Sequence, residues 1–434
     1  MNDNTVYKNK AKEVKNLNFI KPENTMKFVL IVEVLKCLYL FIFENYHDLD
    51  YSSYHGQAQM YLDGEKDYSK LYGLRGPSQY SALHLYTYTI FNLITSDFRN
   101  PYPAIFVTTF VHLTIWFFAV KIYQQAFGKN SCNVLLITLC WVGTRTVENA
   151  TKYTFCDGFN VMFMFIAIYY FQKGCLYIGC LFFSIALGYK ANVLLYLPGI
   201  FYIIAIKHGF LMWIMTFFGL VLMQMLVGIE FLTYNFRSYY IRGFNLARKF
   251  GLNPSRNMKW IGKQNSSFYK TDGFFLILMI TILSSLVYVA IRRWVPLLDP
   301  DHKVSIRTAI KQVSLWPFKI WNWDSRKLSP YFIAEALFLS NFVGIVWARS
   351  IHQQFVIWYW FSIPFLMYSP LINSKVSLLT VVLTMIMLNG WYISYANIMN
   401  SFVTYCIHIY YFILNCSVDS PRFVNVVNSA RYIW

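Results

Sequence analysis

Residues 46–82 read YHDLDYSSYHGQAQMYLDGEKDYSKLYGLRGPSQYSA, and how they are read decides the rest of the chain. Six acids stand between Glu44 and Gln79 (Glu44, Asp48, Asp50, Asp63, Glu65 and Asp67) against three bases (Lys66, Lys70 and Arg75), in a chain of formal net charge +18. An apolar run, residues 28–43, comes directly before them. Asp48 and Asp50 therefore sit just past the end of a hydrophobic helix. A carboxylate there stays ionised at a membrane surface and can take a proton from a hydroxyl. Spacing alone equally allows both to be solvated interface residues.

Working outward, the composition excludes a soluble core. The 434 residues are 57% hydrophobic and 20% aromatic, with only 13% charged, where a soluble domain carries about 25% charged residues. Apolar runs recur from residue 28 to the C-terminus, so the fold class expected is an all-α polytopic membrane protein. The positive charge does not point to nucleic acid, because the basic residues lie between apolar runs and not along one soluble face. Anionic lipid head groups and phosphate-bearing lipids are the expected partners. Eight cysteines (Cys37, Cys132, Cys140, Cys156, Cys175, Cys180, Cys406, Cys416) fall mostly in or beside apolar runs. None forms a Cys-x-x-Cys pair, so neither a zinc site nor a disulfide framework is indicated. They read as small buried hydrophobes.

The first 26 residues carry Lys8, Lys10, Lys12, Lys15 and Lys21 against three acids, with no short apolar segment and cleavage site. No cleavable leader is expected, and the positive-inside tendency makes this end cytosolic. The acidic loop, 44–79, then lies across the membrane. Within the first apolar run Glu33 and Lys36 are three apart, on one helical face, and are expected to point into the bundle. Further apolar segments lie near 80–95, 104–122, 134–147, 159–171, 176–187, 193–206, 210–232, 274–290, 331–347, 355–372, 376–391 and 402–414. That is about a dozen, several of them shorter than the ~20 residues a crossing needs. The domain reading is a cytosolic segment 1–26, a multi-span domain 27–417 with a basic loop at 234–272, and a tail 418–434. No internal repeat of the kind found in secondary transporters is visible.

Ionisable residues inside apolar regions are functional candidates by default. Arg145, Glu148, Lys152 and Asp157 cluster in TRTVENATKYTFCDG, Lys190 and Asn192 interrupt ALGYKANVLLYLPG, and Arg349 and His352 lie in WARSIHQQFVIWYW. Each cluster alone reads as a helix end balanced by charge; three beside an acidic loop weaken that reading. Arg349 and His352 are three apart, which on a helix would put both on one face. Residues 239–260 interleave Arg242, Arg248, Lys249, Arg256 and Lys259 with aromatics. Such a segment can lie on a membrane or grip phosphate through arginine forks.

Together these stretches resemble the dolichyl-phosphate-mannose-dependent α-1,3-mannosyltransferase family of Asn-linked glycan precursor assembly. Asp48-Leu49-Asp50-Tyr51 is similar to the family's acidic pair, with Asp48 replacing a Glu. Gly64-Glu65-Lys66-Asp67-Tyr68 and Gly76-Pro77 match, and Tyr80-Ser81-Ala82 matches except that Ser81 replaces Pro. His84, Tyr86 and Tyr88 continue the agreement. Arg145 and Asp157 match in spacing, and Lys190-Ala191-Asn192-Val193-Leu194-Leu195 resembles a Lys-Met-Asn-Val-Leu-Leu element. In 242–248 Asn245 stands for an Asp. Ser340 to Ile345 and Ala348 to Phe355 give the most specific match, with Gln353 in place of Tyr.

The resemblance implies a GT-C-type glycosyltransferase with about a dozen transmembrane helices and luminal loops. It would reside in the endoplasmic reticulum membrane with its active site facing the lumen. It implies mannose transfer from dolichyl-phosphate mannose to a dolichyl-pyrophosphate-linked pentamannosyl oligosaccharide, with inversion. Inversion asks for one base and for cations at the departing phosphate. Asp50 is the expected base, with Asp48 as alternate. Arg349, His352 and Lys190 are expected at the donor phosphate. Tyr80, His84, Arg145, Asp157, Arg242, Arg248 and Gln354 are further substrate-binding candidates. No cofactor beyond the donor substrate and no metal is expected. Another GT-C mannosyltransferase, such as that of glycolipid-anchor synthesis, a transporter, and a non-catalytic homologue remain as alternatives.

Overall fold

The computed structural model describes residues 22–46, 50–96, 99–128, 142–246, 268, 270–294, 328–351, 353–393 and 398–418. Asp48, Arg248, His352, most of the 234–272 segment and both terminal tails lie outside the described residues. In chain order the elements are α1 (Pro22–Phe43), α2 (Tyr51–Leu62), β1 (Tyr72–Gly73), β2 (Gly76–Pro77), α3 (Ala82–Ile94) and α4 (Tyr102–Phe127). Then come α5 (Arg145–Thr151), α6 (Asp157–Lys173), α7 (Leu176–Tyr189), a 3-10 stretch (Ala191–Tyr196), α8 (Leu197–Val227), α9 (Ile229–Gly243) and α10 (Asp272–Val289). The last are α11 (Pro330–Trp347), 3-10 turns (Gln353–Trp358 and Trp360–Ser362), α12 (Ile363–Ile372), α13 (Leu378–Ile393) and α14 (Ile398–Ser417). The protein is thus mostly helical.

The centre is α11. Its sequence, PYFIAEALFLSNFVGIVW, has no polar face, and a helix apolar all round is stable only when covered on every side. Every residue from Tyr331 to Val346 is buried, and α4, α6, α8, α10 and α14 pack around it. Its start is set by Ser329, whose side chain accepts from the Phe332 N–H at 3.1 Å, with Pro330 in the first turn. It stops at Ala348, whose ψ of 137° is not helical.

Four helices among the described residues are long and apolar enough to cross a membrane: Tyr102–Phe127, Ala191–Gly209, Asp272–Trp294 and Pro330–Trp347. A fifth is counted if the bent pair Leu211–Val227 and Ile229–Gly243 is one broken span. Of the others, α1 (22 residues) and α14 (20 residues) are long but fall outside that count, and the rest include short ones such as α7, with 14 residues. The kink of α8 at Gly209 (φ 88°) falls between the expected segments 193–206 and 210–232, but the run 210–232, expected to be continuous, is broken by a 101° bend between α8 and α9. Gly228 stands at that bend because the Tyr239 ring lies against it, 2.5 Å from where a Cβ would be. The apolar segment 355–372 likewise begins as 3-10 turns and becomes α-helical only at Ile363, with Pro364 in its first turn.

Residues 44–79 are more ordered than a loop. Tyr51, Tyr54, Gln57 and Ala58 recur at helical spacing and are all buried, which makes α2 amphipathic against α3. Gly64, at φ 98°, turns the chain out of α2, its N–H bonded to the Tyr61 carbonyl at 3.0 Å. The segment after it docks on α9. Tyr61 Oη donates to Glu230 at 2.6 Å and Lys66 pairs with Glu230 at 2.8 Å. Tyr68 is buried between the rings of Phe231 and Tyr239, each 4.8 Å away. Burial works against the Asp67 carboxylate, yet hydrogen bonds from Ser69, Ser238 and Asn235 bring its pKa down to about 2.

Glu33 and Lys36 do face inward as an ion pair, and His112 of α4 meets Glu33 at 2.9 Å. The cysteines divide: Cys37, Cys156 and Cys416 are buried, whereas Cys175 and Cys406 are exposed. A second buried pair joins Arg293, at the end of α10, to Glu335 of α11. Arg293 also donates to the Val418 carbonyl at 2.8 Å. Removing one partner leaves a buried charge uncompensated, which typically costs about 3–5 kcal/mol. Arg293→Met should therefore lower the thermal unfolding temperature in detergent clearly; an unchanged melting temperature would mean the pair does not hold α10 to α11.

Candidate active site

A cavity of ≈ 930 Å³ opens between α2, α10 and the segment that follows α11. Its lining is chemically mixed. Asp50, Arg75, Tyr80, Arg145, Lys190, Asn192, Arg349 and Gln354 supply polar groups. Leu194, Leu195 and Pro198, Phe275, Leu278, Ile282 and Leu286 of α10, and Trp347 supply apolar ones. On its other side α10 exposes Leu276, Ile277, Ile280 and Val287. Among the described residues a single helix therefore forms the wall there.

Asp50 is held at the N-cap position of α2, with its side chain 25% exposed and 3.4 Å from Arg75 Nε. Arg75 is brought there by the β1–β2 hairpin, which lies flat on α2. A Cβ at Gly73 would come 2.1 Å from the Ser53 carbonyl oxygen. Gln57 donates to the Gly76 carbonyl at 3.2 Å, and the Arg75 N–H donates to Ser53 Oγ at 3.2 Å.

Lys190 sits in extended backbone (φ −160°, ψ 135°), between the end of α7 and the 3-10 stretch before α8. Its ammonium donates to Asp157 Oδ1 at 2.7 Å. It also lies 5.1, 4.7 and 5.0 Å from the ring centres of Tyr80, Phe355 and Trp358, a favourable placement for a cation. Trp358 Nε1 donates to the same Asp157 oxygen at 2.5 Å. Burial works against the charged form of Lys190, but the Asp157 carboxylate outweighs it and keeps the pKa above the ordinary lysine value.

Arg145 opens α5, pairs with Glu148 at 2.8 Å and stacks 4.9 Å from the Tyr153 ring. Arg349 follows α11 and places its guanidinium 5.5 Å from the Phe275 ring of α10. Because α11 has ended, Arg349 is not helical, and the helical-face argument joining it to His352 does not apply. Six expected site residues thus share one cavity: Asp50, Tyr80, Arg145, Lys190, Arg349 and Gln354. Three others do not line it. Asp157 lies behind Lys190. His84, 1% exposed, is packed among Tyr54, Tyr80 and Tyr88. Arg242 is off the wall, although its neighbours Gly243, Asn245 and Leu246 are on it.

The sequence reading did not single out Arg75, Tyr153 or Trp358. Arg75 carried a signal, lying inside the turn Gly73-Leu74-Arg75-Gly76; the aromatics carried none among so many. The Gly73 contact makes a prediction. Overpacking costs about 1–3 kcal/mol, so Gly73→Ala should lift the hairpin from α2 without unfolding the bundle. Limited proteolysis should cut faster within 72–77 at an unchanged global melting temperature; equal cleavage rates would show that the hairpin is not seated through Gly73.

Comparison with known proteins identifies relatives across most of the chain. A probable Dol-P-Man:Man(5)GlcNAc(2)-PP-Dol alpha-1,3-mannosyltransferase of Dictyostelium discoideum is 26% identical over 395 residues, covering 82% of this chain and 84% of the relative. The Cryptococcus neoformans protein of the same description is 29% identical, covering 75% and 73%. The human one is 26% identical, covering 75% and 70%. No solved structure matches the chain. The family model described as ALG3 protein matches residues 27–399, and with most of its length inside that match, the chain belongs to the ALG3 protein family.

Proposed function

We propose that this protein transfers mannose from dolichyl-phosphate mannose, in α-1,3 linkage, to the Man(5)GlcNAc(2) oligosaccharide carried on dolichyl pyrophosphate. The relatives' printed activity supports this reading. The observation that carries it is the mixed lining of the cavity, one carboxylate and four cations together with a greasy wall from α10. A sugar–phosphate on a polyprenyl chain has that mixed character. Its phosphate and sugar belong beside Lys190 and Arg349, and the start of its chain belongs against α10.

The reaction needs little else. The acceptor hydroxyl attacks the anomeric carbon from the face opposite the phosphate; a glycosidic C–O bond forms as the C–O bond to phosphate breaks. Asp50 takes the hydroxyl proton, and the dolichyl phosphate leaves with its charge met by Lys190 and Arg349. Arg145 lies on the same wall and adds to the positive field. Arg75 orients the Asp50 carboxylate. In this reading the fold is a GT-C-type multi-span bundle in the endoplasmic reticulum membrane, short helices included, with the α2 face luminal and membrane lipids around it.

Purified protein incubated with dolichyl-phosphate mannose and the pentamannosyl acceptor should yield a product with one additional α-1,3-linked mannose by linkage analysis. Asp50→Asn keeps shape but cannot take the proton, and turnover should fall by ~10²-fold or more. Near-normal turnover would remove Asp50 as the base. Arg349→Ala should raise the apparent KM for the donor by roughly tenfold, the scale of one charge-assisted hydrogen bond. If Arg349 only anchored the end of α11, donor titration on monodisperse mutant would be unchanged while the melting temperature fell.

A further inference from the structure

Asp157 is the one carboxylate in contact with Lys190 among the described residues, and it is only 1% exposed. It does not line the cavity; Lys190 stands between them. One carboxylate oxygen, Oδ1, accepts from two donors, the Lys190 ammonium at 2.7 Å and the Trp358 indole N–H at 2.5 Å. The other faces the Cys156 thiol at 3.9 Å. Trp358 is itself fixed by stacking on Phe355 (3.9 Å, 14°). The ammonium also lies 5.1, 4.7 and 5.0 Å from the ring centres of Tyr80, Phe355 and Trp358.

We propose that Asp157, fixed by the indole N–H of Trp358, is a positioning residue that keeps Lys190 charged and aimed into the cavity, touching neither substrate itself. The proposal rests on Lys190 meeting the donor phosphate. Its logic is that of a buried cation. Three aromatic rings offset only part of the hydration a lysine loses on burial, and buried lysines without a counter-charge give up their proton near neutrality. One carboxylate hidden behind it prevents that and fixes the direction of the side chain. Among the described residues Asp157 is its only hydrogen-bond acceptor, so two N–H groups remain for a phosphate. The other titratable groups facing Lys190 are Tyr80, Cys156 and His84, with Asp50, Arg145 and Arg349 around the cavity.

The test is a pH profile of mannose transfer with donor and acceptor titrated separately. Lys190→Met should raise the donor KM by at least ~10-fold; an unchanged donor KM would sink the reading of Lys190 as a phosphate ligand, and this inference with it. Asp157→Asn keeps an acceptor for Trp358 but removes the charge. Its activity should hold at acidic pH and then fall by roughly tenfold per pH unit as Lys190 deprotonates, where wild type stays flat. The double variant Asp157→Asn with Lys190→Arg should lose that alkaline limb, because a guanidinium stays charged. A loss in Asp157→Asn that is equal at every pH, a limb surviving in the double variant, or a rise in acceptor KM alone would each overturn the assignment. Trp358→Phe keeps the stack and removes the N–H donor, and serves if Asp157→Asn fails to fold. It should raise the donor KM by roughly threefold to tenfold with no new pH dependence; an unchanged donor KM would overturn the role given to Trp358.

Discussion

The structure depends on burying one helix on all sides. Since α11 has no face it can show to water, its neighbours are arranged by the need to cover it, and α4, α6, α8, α10 and α14 do so. Its two ends then take on separate duties. At the first, the buried Glu335 is matched by Arg293 and ties α10 to the bundle. At the second, the helix stops at Trp347 and delivers Arg349 from irregular chain, and Gln354, Phe355 and Trp358 from a 3-10 stretch, to the cavity. Rigid helices thus carry the load and extended segments carry the chemistry. Asp50, Lys190 and Arg349 all sit at or just outside helix ends.

The cavity is therefore a meeting of breaks. A helix interior commits its backbone groups to itself and spaces its side chains by a fixed rise, so distant segments converge most freely where helices end. Asp50 lies before α2, Lys190 after α7, Arg145 at the start of α5, and Arg349 past α11. The charges that result are of both signs and closely balanced. Arg145 is matched by Glu148, Lys190 by Asp157, and Arg75 faces Asp50. An anionic substrate entering would meet cations already ordered by neighbours, which lowers the reorganisation needed when charge develops.

Much of this was legible in the residues. Most of the apolar segments do become helices among the described residues, 134–141 lying outside them, and Glu33 and Lys36 do face inward, because hydrophobic periodicity and buried charge are local signals. Arg145, Lys190 and Arg349 were found because ionisable residues in apolar surroundings are rare enough to stand out, and Asp50 because it closes an apolar run; Tyr80 and Gln354 came from the family resemblance. What escaped were effects of three-dimensional approach. Gly228 gives no local sign that Tyr239 will pack on it, so the bend between α8 and α9 was missed. The helical character of 51–62 was hidden by its polar residues, and its burial pattern appears only once α3 lies against it. Arg349 was assigned to a helix that its own backbone leaves two residues earlier. Trp358 is one tryptophan among 13, and nothing in its neighbours marks it as a hydrogen-bond donor to a carboxylate 201 residues away.

The thin wall formed by α10 sets the terms on which any lipid reaches the site. Among the described residues one helix separates the cavity from its surroundings there, and the outer face of that helix is itself hydrophobic. A polyprenyl tail has no need to thread a tunnel; it can lie along α10 and remain mostly in the bilayer while only its head enters. The quantity that governs occupancy is then the mole fraction of substrate within the membrane plane, not its molarity in the surrounding water. Diluting the suspension would leave saturation unchanged, whereas adding inert lipid or detergent would lower it. Under those conditions the enzyme would follow surface-dilution kinetics, with its affinity for the donor expressed as a mole fraction in the membrane.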